Sequence, residues 1–285
     1  MSVYLAIQAA FFFSVAHIVI RRGLVTSNAS TGTILSIVIS AVVLWVLAPF
    51  MVPLSSFKTP AVWYFIVAGV FAPATGRYFT FLGIERVGVA RSVPISNTAP
   101  MFSSIMAVVL VGEKWTPQNI LGTSLVILGI VVLSYTRTTH SNWRKIDLMY
   151  PILAALSFAL SSNLRKLGLL MVNLPLMAAV VSATTALFVA LVIHQVQGGW
   201  RAFTLSRSSF GWFMAAGLAH TAALLSAFHA LSIGKIVIVD PLVGGTPVLT
   251  LVLTTVFLRD LEAVTLRVVA GAVTTVVGSV LIMTV

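Results

Sequence analysis

The residues that could do chemistry in this chain are few, because only 8% of its 285 residues are charged and none is cysteine. Arg77 and Asp240 stand out among the ionisable groups, since each lies within a long apolar run. An ionisable group at membrane depth is costly and usually serves binding or transport. His220 and Asn97 add neutral polar groups near the middle of their own apolar runs. These residues predict a site for a polar solute inside a bundle of apolar helices.

The composition of the chain places these groups in a membrane. Apolar residues make up 59% of the sequence, which no soluble fold could bury behind so few charges. The formal net charge is +11, but the basic residues occupy short gaps between apolar runs, where loops meet anionic lipid. We therefore expect an integral protein of a bacterial or archaeal plasma (inner) membrane, surrounded by the lipid bilayer and binding no nucleic acid.

Apolar runs of about 20 residues predict ten transmembrane helices and an all-α, polytopic fold. One of the longest gaps between the apolar runs, 136–147, divides the ten spans into two sets of five. The predicted spans are roughly 3–20, 31–52, 61–83, 88–111, 117–135, 148–164, 174–196, 210–231, 236–258 and 263–284.

The two sets of five spans repeat each other. AAFFFSVAHIVIRRGL at 9–24 aligns with AALSFALSSNLRKLGL at 154–169, and FLGIERVGVARSVPISNTAP at 81–100 aligns with FHALSIGKIVIVDPLVGGTP at 228–247. Because five is odd, the second copy must enter the membrane from the opposite side. The sequence thus predicts two inverted five-helix repeats, 1–140 and 141–285, an arrangement typical of alternating-access transporters. A duplicated bundle without a transport role is the alternative.

Residues 76–133 and 227–283 resemble the EamA-type repeat of the drug/metabolite transporter superfamily. The shared pattern is an aromatic-rich third helix, a proline-containing fourth helix, an acid at its end, and a Gly-x6-Gly fifth helix. The acids are Glu113 in VGE and Asp260 and Glu262 in LRDLE. The tryptophan common near the start of such repeats is replaced by Phe13 and Phe158. The resemblance implies a ten-helix carrier that moves small metabolites, often out of the cell. Its cavity would lie between helices 1–4 and 6–9.

The repeat also indicates which polar residues share one cavity. His220 aligns with Pro73, four residues before Arg77, so His220 and Arg77 occupy the same face of equivalent helices. Asp240 likewise aligns with a position four residues before Asn97, so these two residues also share a face. His17 aligns with Ser162. The alternative is that these groups only make hydrogen bonds between helices. The predicted substrate-binding residues are His17, Arg77, Asn97, Ser162 and His220, and the proton-coupling candidates are Asp240 and His220.

Prolines and glycines interrupt the fourth and ninth predicted helices at equivalent places. A proline frees a carbonyl that a neighbour, water or ligand must satisfy, so these helices could bend at cavity depth. The predicted bending and gating residues are Pro94, Pro100, Pro241, Gly244, Gly245 and Pro247. The paired glycines of the fifth and tenth helices predict close packing instead: Gly122, Gly129, Gly271 and Gly278.

We therefore expect a secondary transporter that exports a small polar metabolite, amino acid-like or another small organic solute, with protons as a candidate coupling ion. No H-E-x-x-H, G-x-S-x-G, G-x-G-x-x-G or P-loop string occurs, so we expect no enzyme, catalytic residue, cofactor or metal. The alternative function is a lipid flippase or an intramembrane lipid-modifying enzyme, which predicts an apolar cavity open sideways to lipid. The sequence is compatible with both a monomer and a homodimer. Loop charges place the termini outside, whereas the resemblance implies cytoplasmic termini.

Overall fold

The computed structural model describes residues 2–99, 102, 117–135, 143–196, 199, 203–233, 243, 245–261 and 264–283. Within these ranges the chain is helical and contains no β-strand, which confirms the predicted all-α class. The first half contains α1 (Ser2–Gly23), α2 (Ala29–Met51), α3 (Ala61–Gly69), α4 (Gly76–Val87), α5 (Val89–Ser96) and α6 (Pro117–Tyr135). The second half contains α7 (Met149–Met171), α8 (Pro175–Val196), α9 (Arg207–Ile233), α10 (Thr246–Phe257) and α11 (Leu266–Met283). Short 3-10 turns cover Leu54–Lys58 and Lys145–Leu148.

Several of these helices match the membrane in length and composition. Within the described ranges, six segments are long and apolar enough to cross a bilayer: Val3–Gly23, Ala29–Met51, Ala61–Val87, Lys145–Leu169, Pro175–Val196 and Arg207–Ala227. Shorter apolar helices lie in the fifth, ninth and tenth predicted spans. The arrangement is compatible with ten spans, and that number stays a prediction because parts of the fourth and ninth spans lie outside the described residues.

The main helix contacts join the two halves of the chain. α1 packs against α9, while its repeat equivalent α7 packs against α3 and α4, the equivalents of α9. α2 packs against its own equivalent α8, and α6 against its equivalent α11. Each of these pairings therefore maps onto itself or onto another of them when the halves are exchanged. These contacts are compatible with the predicted inverted repeat.

Two glycine–phenylalanine contacts show the same equivalence between the two halves at the level of single residues. A Cβ on Gly23 of α1 would lie 2.5 Å from Cε1 of Phe213 on α9. A Cβ on Gly168 of α7 would lie 2.5 Å from Cε1 of Phe65 on α3. Both rings are fully buried. A side chain at either position would therefore force a shift, because a buried ring from the other half occupies its space.

The α6–α11 contact also depends on glycine. A Cβ on Gly129 would lie 2.8 Å from the carbonyl oxygen of Gly271, and one on Gly278 would lie 2.6 Å from that of Gly122. Such close backbone approach is typical of small residues at helix interfaces in membranes. The predicted close packing of the fifth and tenth helices is confirmed.

The third predicted span is interrupted, which the sequence interpretation did not anticipate. Between α3 and α4 lies a π-helical turn, Val70–Thr75, in which Ala72 has extended backbone angles (φ −146°, ψ 126°). Pro73 follows it and has no N–H to donate. The side chain of Ser161 on α7 donates to the carbonyl oxygens of Ala68 (2.9 Å) and Ala72 (3.2 Å). The interruption is thus satisfied by donors from the other half of the chain.

The predicted bends of the fourth and ninth helices are described only in part. Pro94 lies inside α5, which ends two residues later at Ser96. Gly245 immediately precedes α10, and Pro247 occupies its first turn, where the missing N–H is not needed. Pro247 thus starts a described helix. Pro100, Pro241 and Gly244 lie outside the described residues, and gating by this set stays a prediction.

Candidate functional site

Packing of α1 against α9 brings two predicted site residues together. The rings of His17 and His220 have centroids 6.2 Å apart and planes at 85°. Phe13 of α1 and Phe81 of α4 contact the His220 ring in the same edge-to-face manner, at centroid distances of 5.9 and 6.0 Å. Aromatic edges thus hold His220 between three helices. The phenylalanine that replaces the family tryptophan at position 13 is one of these contacts.

The two imidazoles differ in their hydrogen bonds. His220 Nδ1 lies 3.1 Å from the carbonyl oxygen of Ala216, one turn earlier in α9. Because a carbonyl only accepts, Nδ1 carries the proton in this contact, and Nε2 of a neutral ring is then an acceptor. His17 is 8% exposed, and its Nδ1 has no hydrogen-bond partner among the described residues. A buried polar atom of this kind is costly unless a solute or water completes it.

Arg77 lies beside this pair on α4. It is 7% exposed, and its Nη1 donates a hydrogen bond of 3.4 Å to Ser40 Oγ of α2. Both Arg77 and His17 lie near His220. Arg77 and His17 are buried and His220 is partly buried, so the three residues form one polar cluster between α1, α4 and α9. We call these three residues the histidine–arginine cluster.

The described carboxylates all bind groups away from Arg77. Glu85 accepts from the backbone N–H of Ala29 (2.8 Å), and Asp147 from that of Arg144 (2.7 Å). Asp260 forms an ion pair with Arg22 (2.6 Å). Within the described part of the chain, the buried charge of Arg77 is thus not neutralised by any carboxylate. A buried cation in this situation is a natural binding site for an anionic group.

Of the remaining predicted site residues, two lie on described segments of the chain. Asn97 directly follows α5, and its Nδ2 donates to the carbonyl oxygen of Val93 in the same helix (2.9 Å). Ser162 lies in α7, next to Ser161. Asp240 lies outside the described residues. The roles assigned to these three residues stay predictions.

Two residues that face the interruption of the third span, Ser161 and Arg165, are not among the predicted site residues. The predicted span 148–164 ends before Arg165, but α7 continues past it; Arg165 is half-buried, and its Nη2 donates to the carbonyl oxygen of Ala72 (3.3 Å). One signal was available in the sequence. Pro73 stands in an apolar run four residues before Arg77, and a proline there requires outside donors for the freed carbonyls.

A separate cavity of about 800 Å³ lies between α1, α9 and α10. Its lining includes Val15 and Val19, which lie two residues either side of His17 and therefore on the opposite face of α1. The cavity does not include the histidine–arginine cluster.

Residues 1–135 match the EamA-like transporter family. The match covers a little under half of the chain. The EamA-like segment contains α1 to α6, and hence His17 and Arg77 of the cluster and the interrupted third span. The predicted resemblance is confirmed, and the chain is an integral membrane protein with several apolar helices.

Other similarities extend the comparison. Proteins named for sugar uptake from Bacillus cereus and Bacillus anthracis are 42% identical over 67 residues, which is 22% of this chain and 24% of theirs. The matched region thus spans about a quarter of the length of these relatives. A protein of known crystal structure superposes with a TM-score of 0.67 at 16% identity, covering 98% of this chain and 95% of its own. At this identity, the likeness shows the fold alone.

Proposed function

We propose that this chain is a secondary transporter that moves a small organic solute with an anionic group, such as an amino acid or organic acid, across the membrane. The observation that carries the proposal is Arg77, a buried cation beside two histidines for which the described residues provide no carboxylate. The solute's anionic group would bind Arg77, and its hydrogen-bonding groups would meet His17 Nδ1 and His220 Nε2. The EamA-like family of residues 1–135 supports transport.

The helix pairings support a rocking mechanism. α1 with α9, and α7 with α3 and α4, form two equivalent contact pairs across the halves. Tightening one pair while loosening the other would expose the histidine–arginine cluster first to one side of the membrane and then to the other. In this mechanism Asp240 and His220 are the candidates for carrying a coupled proton.

The direction of transport is part of the proposal. Export follows from the superfamily resemblance, whereas the short match to proteins named for sugar uptake favours import of a neutral sugar. A sugar needs hydrogen-bonding groups and no buried cation, so Arg77 favours the anionic solute.

Counterflow in proteoliposomes tests the proposal. A panel of labelled amino acids, organic acids and sugars would be assayed with and without a pH gradient. We expect counterflow of an anionic solute, with a loss of at least tenfold in Arg77→Ala. The matched control is Arg86→Ala, an exposed arginine on the same helix, which should transport normally. Equal counterflow in Arg77→Ala and wild type would contradict the role of Arg77, and a rate independent of the pH gradient would contradict proton coupling.

The cavity between α1, α9 and α10 favours a second function, lipid translocation, because it is largely apolar and bordered by exposed residues. Its position on the face of α1 opposite His17 separates this function from the first. Dithionite quenching of a fluorescent phospholipid in the same proteoliposomes measures it. Quenching beyond half of the label, in proportion to the protein added, would support a flippase. Quenching of only half would exclude lipid translocation under these conditions.

A further inference from the structure

The cavity between α1, α9 and α10 has an apolar body that opens on the lipid-facing surface. Its walls include Phe11, Val15 and Val19 of α1, Trp212 of α9, and Leu253 and Phe257 of α10. Phe11 and Phe257 are 46% and 56% exposed, so the cavity is open along its edge. In an integral membrane protein such a surface meets hydrocarbon chains. We call this cavity the lateral groove.

One end of the lateral groove is polar. Arg22 and Asp260 line it there, with the hydroxyl-bearing residues Thr26 and Ser208. The guanidinium binds the carboxylate through two hydrogen bonds, Nη1 to Oδ2 at 2.6 Å and Nη2 to Oδ1 at 2.8 Å. α1 ends at Gly23, α10 ends at Phe257 and α9 begins at Arg207, so this end lies at the level of the helix termini. That level corresponds to the headgroup region of a bilayer.

The length of the groove matches one leaflet. Phe11 and Arg22 are eleven residues apart on α1, which is about 16 Å at about 1.5 Å per residue. The hydrocarbon core of a bilayer is about 30 Å thick, so one leaflet contributes about 15 Å. An acyl chain whose headgroup lies beside Arg22 would therefore reach Phe11 and the bilayer midplane.

We propose that the lateral groove binds one phospholipid with a zwitterionic headgroup, its acyl chain in the apolar body and its headgroup at Arg22 and Asp260. The ion pair presents one positive and one negative charge to the same ligand, so the lipid phosphate approaches Arg22 and the lipid ammonium approaches Asp260. An anionic headgroup would instead meet the Asp260 carboxylate without a compensating cation. The proposal does not depend on which solute the protein transports.

Native mass spectrometry of the purified protein tests the groove. Delipidated protein in detergent would be titrated with dioleoyl phosphatidylethanolamine or dioleoyl phosphatidylglycerol. Val15→Trp and Leu253→Trp each fill the groove, and Val46→Trp is the control on α2, where the residue replaced is 61% exposed and distant in sequence from the groove. We expect at least fivefold weaker phosphatidylethanolamine binding in both filling variants and wild-type binding in the control. Gel filtration and thermal unfolding would show that each variant is folded. Wild-type binding in the two filling variants would overturn the assignment.

Charge at the polar end provides the second test. Wild type should bind phosphatidylethanolamine at least threefold more tightly than phosphatidylglycerol. Asp260→Asn leaves Arg22 as a cation without its carboxylate, so the preference should reverse toward phosphatidylglycerol. Stronger phosphatidylglycerol binding by wild type, or an unchanged preference in Asp260→Asn, would overturn the zwitterionic assignment.

Discussion

His17 of α1 and His220 of α9 face each other edge to face, with ring centroids 6.2 Å apart and planes at 85°. The contact exists only while α1 and α9 remain packed, because each helix contributes one ring. A movement that separates these helices therefore opens the histidine pair. This geometry links solute binding at the pair to the relative positions of the two halves.

Replacing His220 with alanine should reduce transport at least tenfold. The substitution removes the ring that contacts Phe13, Phe81 and His17, so the cluster loses both a hydrogen-bonding group and its packing. His229→Ala is the matched control, because His229 lies on the same helix and is exposed. Counterflow in proteoliposomes measures both variants. If the two variants transport equally well, the cluster is not the solute site.

Removing the hydroxyl of Ser161 should destabilise the interrupted third span. The carbonyl oxygens of Ala68 and Ala72 both lose a donor in Ser161→Ala. Hydrogen bonds between membrane helices contribute about 0.6 kcal/mol on average and up to about 1.7 kcal/mol. We expect a loss in this range, measured by denaturant unfolding in mixed micelles. Ser124→Ala is the control, because its exposed hydroxyl donates within its own helix, to the carbonyl oxygen of Ile120. Equal stability of the two variants would mean that the interruption does not depend on Ser161.

Adding a methyl group at Gly23 or Gly168 should destabilise the protein by similar amounts. In each variant the new Cβ would lie 2.5 Å from a fully buried phenylalanine ring, so the ring or a helix must move. Overpacking of this kind typically costs about 1–3 kcal/mol. Gly211→Ala is the control: beyond its own helix, no atom of the described residues lies within 4 Å of its Cβ position, and alanine favours the helix. Thermal unfolding should rank both variants below wild type and Gly211→Ala. Unchanged stability of Gly23→Ala would show that α1 and α9 are less closely packed than the structure indicates.

The ion pair at the end of the lateral groove should respond to acid. Hydrogen bonds from Arg22 hold the pKa of Asp260 below its ordinary value of 3.8, since they favour the charged carboxylate. A lowered pKa in the folded protein means that the carboxylate stabilises the fold above pH 3.8 and that this contribution disappears as the pH falls through the lowered pKa. Wild type should therefore unfold at a higher temperature than Asp260→Asn at neutral pH.

Measuring the unfolding temperatures of wild type and Asp260→Asn at decreasing pH tests the expected direction of this effect. The difference in unfolding temperature between wild type and Asp260→Asn should shrink below pH 3.8 and vanish at lower pH. Arg22→Gln should show the same loss at neutral pH, and adding Asp260→Asn to it should have little further effect. A difference that persists at the lowest pH would show that Asp260 acts through something other than its charge.

The family and the histidine–arginine cluster could be predicted from sequence because the chain repeats itself. Aligning His220 with Pro73 placed it on the same face as Arg77, and a histidine in the C-terminal half of α1 completed the set. Such alignment needs only helical periodicity, which the membrane imposes on every span.

The interruption at Ala72 and the lateral groove could not be predicted in this way. Whether Pro73 breaks its helix depends on the donors that Ser161 and Arg165 bring from another helix, and helical periodicity contains no information about them. Arg165 resembles a loop residue in hydropathy because it lies near the end of its apolar run. The groove depends on how α1, α9 and α10 diverge, which is a property of helix crossing and not of any one segment.

The pairing of α1 with α9 and of α7 with α3 and α4 has a consequence for biogenesis. The EamA-like segment is synthesised first, and its α1 then lacks the helix against which it finally packs. Gly23 contacts no phenylalanine ring until Phe213 has entered the membrane. In the same way, the ring of Phe65 lacks its contact with Gly168 until α7 has been inserted. Insertion of the first half must therefore precede its packing, and the mature bundle assembles only after α9 has left the ribosome.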